Sequence, residues 1–356
     1  MSTRAPIRVL VVDDSALVRK VLTESLGRYH DIEVVGSARD PFEARERILE
    51  LAPDVITLDI EMPRMDGLTF LEKLMRTHPM RVIVVSSVAP ASSANAVRAM
   101  SLGAVDVVPK PEGSMSVPDV ERYLVRAVRT AATIPTSRLQ APRRRVIPPA
   151  PGRRSFSSGT AATRLVAIGA STGGPPALET VLGAMSSDSP GTVIVQHLPP
   201  QFTRAFAQRL DGLTTMQVRE AEDGELILNG TAYVAAGGRH LVVRKTADGF
   251  RMHLKSAPAV HHQCPAVDVL FDSVAAAAGP STVAVLLTGM GADGARGMVA
   301  LREAGAWTIA QNEATSVVYG MPREAVEAGG ACEVLALDDI AAGIARKLAP
   351  RYAVAQ

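Results

Sequence analysis

Acidic residues are missing from a long internal stretch of this sequence: between Arg122 and Leu178 there is no Asp or Glu, while ten Arg stand there. The blocks before and after each contain 14 basic and 18 acidic residues, so a formal net charge of +2 conceals a profile of −4, +10, −4. Cysteine is scarce as well. Cys264 and Cys332 are the only two, which excludes a disulfide framework or a CxxC pair and fits a reducing compartment. Aromatic residues number 13 in 356, leaving few platforms for base stacking. No apolar run reaches membrane-spanning character. The longest uncharged stretch near that length, Ser273 to Ala292, is broken by Gly279-Pro280 and diluted by Ser, Thr and Gly, so it reads as a helix followed by a buried strand. The N-terminal run Ile7 to Val12 meets Asp13-Asp14 too soon for a signal peptide. A cytoplasmic protein without membrane insertion is the expectation.

What is present is enough for packed cores: 47% of the residues are hydrophobic, and the length suggests two domains. The charge map places their junction. A first domain is expected over residues 1–130, a linker over 131–163 and a second domain over 164–350. The linker contains five prolines and six Arg among Ser, Thr and Ala, a connector composition. An Arg cluster also suits a nucleic-acid arm. The scarcity of aromatics and the lack of a helix-turn-helix pattern favour the connector, and no nucleic-acid partner is expected.

In the first block, short apolar runs (8–12, 33–35, 55–58, 82–85 and 105–108) alternate with stretches of helical spacing such as Leu17, Val21, Leu22 and Leu26. Five such pairs predict a doubly wound α/β domain with a parallel sheet, in which ligands bind at the carboxyl ends of the strands. The residues at those ends are Asp13 and Asp14, Asp59, Ser86 and Lys110. Clustered carboxylates repel unless a hard cation neutralises them, and oxygen ligands of this kind suit Mg²⁺. One carboxylate is then placed to attack a phosphoryl group. Taken singly, Asp13, Asp14 and Ser86 also read as helix N-caps; their recurrence at successive strand ends favours the site.

In the second block, Arg164–Gly169 reads as a strand leading to Ala170-Ser171-Thr172-Gly173-Gly174-Pro175-Pro176 and a helix. GASTG fits the G-x-S-x-G turn that presents a serine hydroxyl at a helix N-terminus. An N-cap or a phosphate-binding turn are the alternatives. However, Ser171 stands where a dinucleotide fingerprint requires its second Gly, and a histidine follows where an acidic residue is required. That histidine, His197, succeeds the β-branched run 192–196, and Asp293 follows the strand-like 283–287. Three parallel strands would bring Ser171, His197 and Asp293 to one edge, an arrangement for nucleophilic hydrolysis. The order Ser, His, Asp excludes the α/β-hydrolase order. His253, His261, His262 and Cys264 match no zinc spacing, and structural roles are expected for them.

These motifs bear a double resemblance. VVDDS (11–15), LDIEMPRMDG (58–67) and VPKP (108–111) resemble a response-regulator receiver domain, of flavodoxin-like fold. That resemblance implies phosphorylation of Asp59 by a histidine kinase, Mg²⁺ binding by Asp13 and Asp14 together with Asp59, and phosphoryl contacts from Ser86 and Lys110. Val107 stands where an aromatic often precedes the Lys, which departs from the usual aromatic switch. GASTGGPPAL (169–178), QHLPP (196–200), AVDVLF (266–271) and LLTGMGADG (286–294) resemble the catalytic domain of the CheB family, chemotaxis protein-glutamate methylesterases and protein-glutamine glutaminases. The family's HRP-type run reads His262-Gln263-Cys264-Pro265 here. The resemblance implies an α/β doubly wound domain with a mainly parallel sheet, Ser171 as nucleophile, His197 as general base and Asp293 as its orienting carboxylate. Backbone N–H groups at Thr172 and Met290 form the implied oxyanion hole, with no cofactor for the ester reaction. The implied substrates are methyl-accepting chemotaxis receptors in membrane arrays. The two-domain layout adds the expectation that an unphosphorylated receiver blocks the serine and that phosphorylation opens it.

Overall fold

The computed structural model describes residues 5–110, 117–139 and 159–348. The chain divides into two units, Met1–Arg145 and Val146–Gln356.

In the first unit, strands β1 (Ile7–Val12), β2 (Ile32–Ala38), β3 (Val55–Asp59), β4 (Arg81–Ser86) and β5 (Asp106–Pro109) alternate with helices α1 (Ala16–Leu26), α2 (Pro41–Leu51), α3 (Gly67–Thr77), α4 (Pro90–Ser101) and α5 (Val117–Thr133). All strand pairs are parallel, in the order β2-β1-β3-β4-β5. This is the flavodoxin-like order, with its switch point between β1 and β3. Helices cover both faces, so the central strands need apolar side chains on each side; Val9–Val12 and Val82–Val85 are accordingly buried throughout. The first helix is capped by Ser15, whose hydroxyl accepts from Val18 N–H, and α4 follows Ala89 with no capping side chain. Capping therefore does not account for Asp13, Asp14 or Ser86. Helix α5 continues past residue 130, and Ala131, Ile134 and Leu139 are buried in this unit. The folded part thus extends into the stretch read as linker, because its apolar residues have a surface to cover. The proline- and arginine-rich residues 140–158 lie outside the described residues.

The second unit contains β6 (Leu165–Ala170), α6 (Gly174–Gly183), β7 (Gly191–Gln196), α7 (Pro200–Leu213), β8 (Gln217–Glu220), β9 (Thr231–Val234), β10 (His240–Thr246) and β11 (Gly249–Lys255). It continues with α8 (Val267–Ala278), β12 (Thr282–Leu286), α9 (Ala295–Glu303), β13 (Trp307–Gln311), α10 (Met321–Glu327), β14 (Glu333–Leu335) and α11 (Ile340–Leu348). Seven strands form a parallel sheet in the order β14-β13-β12-β6-β7-β9-β8. The remaining pair, β10 and β11, is an antiparallel hairpin. Leu241, Val243, Phe250 and Met252 of the hairpin share one core with Val267, Leu270 and Phe271 of α8. The long uncharged stretch is the second half of α8 with its following turn, β12 and the loop after it, and among the described residues no helix is long and apolar enough to cross a membrane.

Candidate active site and phosphoacceptor site

In the second unit the three central strands end side by side. Register pairs Gly169 with Val195 on β7 and with Leu286 on β12. The ladder continues beyond the strands: Leu287 N–H donates to Gly169 O at 2.8 Å, Ser171 N–H to Thr288 O at 3.0 Å, and His197 N–H to Ala170 O at 3.1 Å. Ser171 and His197 are the first residues past β6 and β7. Hydrogen bonding of the backbone therefore sets them next to each other, independently of their side chains.

Ser171 sits on a tight turn into α6. Gly173 adopts φ +77°, and a Cβ there would come within 2.6 Å of Val317 Cβ, so both conformation and space call for glycine. The helix begins behind Gly173 with no side-chain cap, leaving the Ser171 hydroxyl free of the capping role. Two buried polar residues brace the turn. Gln196 Nε2 donates to Ser171 O (2.9 Å) and His197 O (3.1 Å), and Thr288 Oγ1 donates to Thr172 O (3.0 Å). The turn's backbone bonds use the N–H groups of Ser171 and Gly174 but not that of Thr172. Met290, on the loop after β12, is exposed.

His197 turns Nε2 to Asp293 Oδ2 at 2.8 Å, with both side chains buried. Burial pushes the Asp293 carboxyl up. The His197 hydrogen bond and charge, together with the N–H groups of Asp268 and Val267, outweigh burial and hold it below the usual carboxylate range. An ionised carboxylate only accepts, so Nε2 donates the proton. In the neutral ring Nδ1 then keeps its lone pair, and it is buried with no hydrogen-bond partner. The imidazole is turned end for end relative to the common triad, in which Nδ1 meets the carboxylate. The chemical result is the same: one nitrogen is anchored and the other is ready to take a proton.

In the first unit Asp13 and Asp59 are buried and Asp14 is exposed, and one carboxylate oxygen from each lies within 4.8 Å of the others. Lys110 Nζ donates to Asp59 Oδ2 at 2.8 Å and lies 3.1 Å from Asp13 Oδ2. The second of these contacts is an ion pair without hydrogen-bond geometry, leaving Asp13 Oδ2 buried and without a hydrogen-bond partner. Burial raises Asp59 to about 6 against the pull of Lys110, with Asp13 adding to the rise. Burial also raises Asp13. Too many negative oxygens for one ammonium, one of them lacking a hydrogen bond, is a donor set that fits a hard divalent cation. Ser86 directs its hydroxyl to Ser87 O (3.3 Å) and Ser92 O (3.4 Å). Gly67 packs so tightly on the Asp59 carbonyl that a Cβ would overlap it, a steric reason for the Gly of the MDG run.

Some contributors were not singled out from sequence. Gln196 and Thr288 were legible only as polar residues ending apolar strands. Glu61, two residues past Asp59, accepts from Ser87 Oγ at 3.1 Å and from Ser92 Oγ, tying the β3 end to the start of α4. The histidines and cysteine at 253, 261, 262 and 264 do not gather as a group among the described residues. Instead His261 approaches Asp268 and Asp293, while buried His240 bonds Pro258 O and the Ala266 N–H.

Fold and sites together define a class: a response regulator whose receiver is joined to a hydrolase with serine, histidine and aspartate at adjoining strand ends. The family models agree, "CheB methylesterase" matching residues 166–344 and "Response regulator receiver domain" matching residues 9–118. The chain belongs to the CheB methylesterase family. It is 50% identical over 340 residues (96% of this chain, 98% of the relative) to a protein-glutamate methylesterase/protein-glutamine glutaminase 2 of Syntrophus aciditrophicus. It is 46% identical over 355 residues (98% and 99%) to the protein-glutamate methylesterase/protein-glutamine glutaminase of Escherichia coli strain K12. The crystal structure of the Thermotoga maritima CheB methylesterase catalytic domain matches with a TM-score of 0.51 and 37% identity, over 51% of this chain and 97% of that one.

Proposed function

We propose that the protein hydrolyses γ-glutamyl methyl esters, and the corresponding glutamine amides, on the cytoplasmic helices of methyl-accepting chemotaxis receptors, under the control of its receiver. The observation that carries the reaction is the buried His197, anchored through Nε2 to Asp293 with Nδ1 unpartnered, beside a strand-end serine that caps no helix.

Ser171 Oγ attacks the ester carbonyl carbon while its proton passes to His197 Nδ1. The imidazolium that results is stabilised by Asp293 through the Nε2–H. The Thr172 N–H and the backbone N–H groups around Met290 receive the oxyanion, each donor worth about 2.7–4 kcal/mol in comparable sites. Collapse of the tetrahedral adduct expels methanol, which takes the proton from Nδ1. Water, deprotonated by the same nitrogen, then releases the glutamate carboxylate and restores Ser171. With an amide the leaving group is ammonia.

In the receiver, Asp13, Asp14 and Asp59 would hold Mg²⁺, which supplies charge neutralisation for an incoming phosphoryl group. Asp59 takes that group from a histidine kinase, and Lys110 and Ser86 contact its oxygens; for Ser86 this requires its hydroxyl to leave the Ser87 and Ser92 carbonyls. Phosphorylation raises the esterase rate, and the chain works where receptor arrays bring substrate and kinase together. Methanol release from methylated receptor membranes, with and without a small-molecule phosphodonor, tests the reading. Release must depend on Ser171 and rise with the phosphodonor. Release that survives Ser171→Ala would rule the reading out.

A further inference from the structure

Helices α8 and α9 both start without a capping side chain of their own, following Ala266 and Gly294. A helix start leaves several N–H donors unpaired, and a buried start needs acceptors for them. Here each helix receives its acceptor from the other. Asp293, just ahead of α9, takes the N–H of Val267 at 2.8 Å (Oδ2) and of Asp268 at 2.9 Å (Oδ1), at the start of α8. Asp268, in the first turn of α8, takes the N–H of Gly294 at 3.0 Å and of Gly297 at 2.8 Å, both on Oδ1, at the start of α9. Gly297 permits this close approach: a Cβ there would lie 2.5 Å from Phe271 Cβ and 3.2 Å from Asp268 Oδ1.

Both carboxylates are buried, with an oxygen of each within 4.8 Å of the other. Two like charges at that distance repel, and the positive ends of the two helices oppose that repulsion. The other oxygen of Asp268 faces His261 Nε2 at 2.9 Å and Arg296 Nε at 3.6 Å, and Arg296 also pairs with Asp272 at 2.7 Å. Asp268 therefore pins the segment on which Asp293 stands. Gly294, adjacent to Asp293, has φ +92°, a conformation that glycine adopts without holding the chain in place.

We propose that Asp268 is a positioning residue for the esterase reaction. By closing the reciprocal cap it sets the distance and angle at which Asp293 meets His197. This rests on the Ser171, His197 and Asp293 reading above. Misplacing a reactive constellation by a fraction of an ångström to an ångström is costly, so Asp268→Ala is expected to lower kcat on the order of 10- to 100-fold. KM should stay within about twofold, because no substrate contact is removed.

The test uses the full-length protein, methylated receptor membranes and ¹⁵N-histidine labelling to follow the His197 Nε2 proton bonded to Asp293. In Asp268→Ala that signal should shift or broaden as kcat falls. In Asp268→Asn, whose amide oxygen still accepts from Gly294 and Gly297, both should largely recover. An Ala variant with kcat within about twofold of the parent, or with lowered kcat and an unmoved His197 signal, overturns the proposal. If the Ala variant fails to fold, Asp268→Glu decides, since it keeps the charge but sets the acceptor one methylene out. Parent-like kcat there is fatal to the idea, and lowered kcat with unchanged KM supports it. Ser171→Ala is run alongside: methanol release that persists in that variant sinks the underlying triad reading, whatever Asp268 does.

Discussion

Both units place a buried carboxylate at the carboxyl end of a parallel sheet, yet Asp59 is raised to about 6 while Asp293 is held below the ordinary carboxylate range. Burial pushes both upward, so the difference lies in what each one faces. Asp59 shares a single ammonium with a second buried carboxylate, Asp13. Asp293 faces two helix N–H groups and an imidazole that donates to it. The protein supplies the hydrogen-bond donors of Asp293 from within and so favours its ionised form. It leaves Asp59 short of positive charge, a state that an external cation can relieve. One architecture thus yields a carboxylate satisfied by its own protein and one left short of positive charge, distinguished by the groups around each oxygen.

The most forceful way to break this contrast is at the fixed site. Ser171→Ala should reduce methanol release by on the order of 10⁶-fold, to background. Asp293→Asn preserves shape but allows the amide to donate to His197, favouring the wrong tautomer, and should lower kcat by about 10⁴-fold. A loss under about tenfold would show that the anion is not what orients the ring. At the switchable site, Asp59→Ala should leave the unphosphorylated rate in place and remove the response to a phosphodonor. A retained response would move the acceptor elsewhere. The smallest effect concerns protons. Because the Asp59 value is raised to about 6, the carboxyl is increasingly protonated below that pH, and a metal ion must displace the proton. Mg²⁺ affinity should therefore weaken as pH falls through about 6, with proton release on binding detectable by calorimetry in buffers of different ionisation enthalpy. Affinity that is flat across that range would contradict the donor-count argument.

Much of this was legible beforehand because parallel sheets write their function at strand ends. Apolar runs closing on Asp13, Asp59, Ser171 and His197 identify both the elements and the edge where they converge. Other features escaped for definable reasons. The turned imidazole of His197 depends on which nitrogen reaches Asp293, a matter of loop path rather than of residue type. The end of α5 and the residues to Leu139 resemble linker in sequence because prolines and arginines follow closely, although Ala131, Ile134 and Leu139 find a core to cover. Asp268 left one trace, an acid inside the apolar run AVDVLF. A lone buried acid signals a partner, but only packing names it.

The two apolar blocks on either side of the arginine- and proline-rich stretch determined that there are two folding units, because each carries enough apolar residues to bury a core of its own. Sequence alone also determined the chemistry available at each strand end. Tertiary structure decided the state of that chemistry. Whether a buried carboxylate is satisfied or left short of partners depends on donors brought from residues far apart in the chain, as Val267 and Asp268 are brought to Asp293. Such donors are fixed by packing and register, which no linear pattern records.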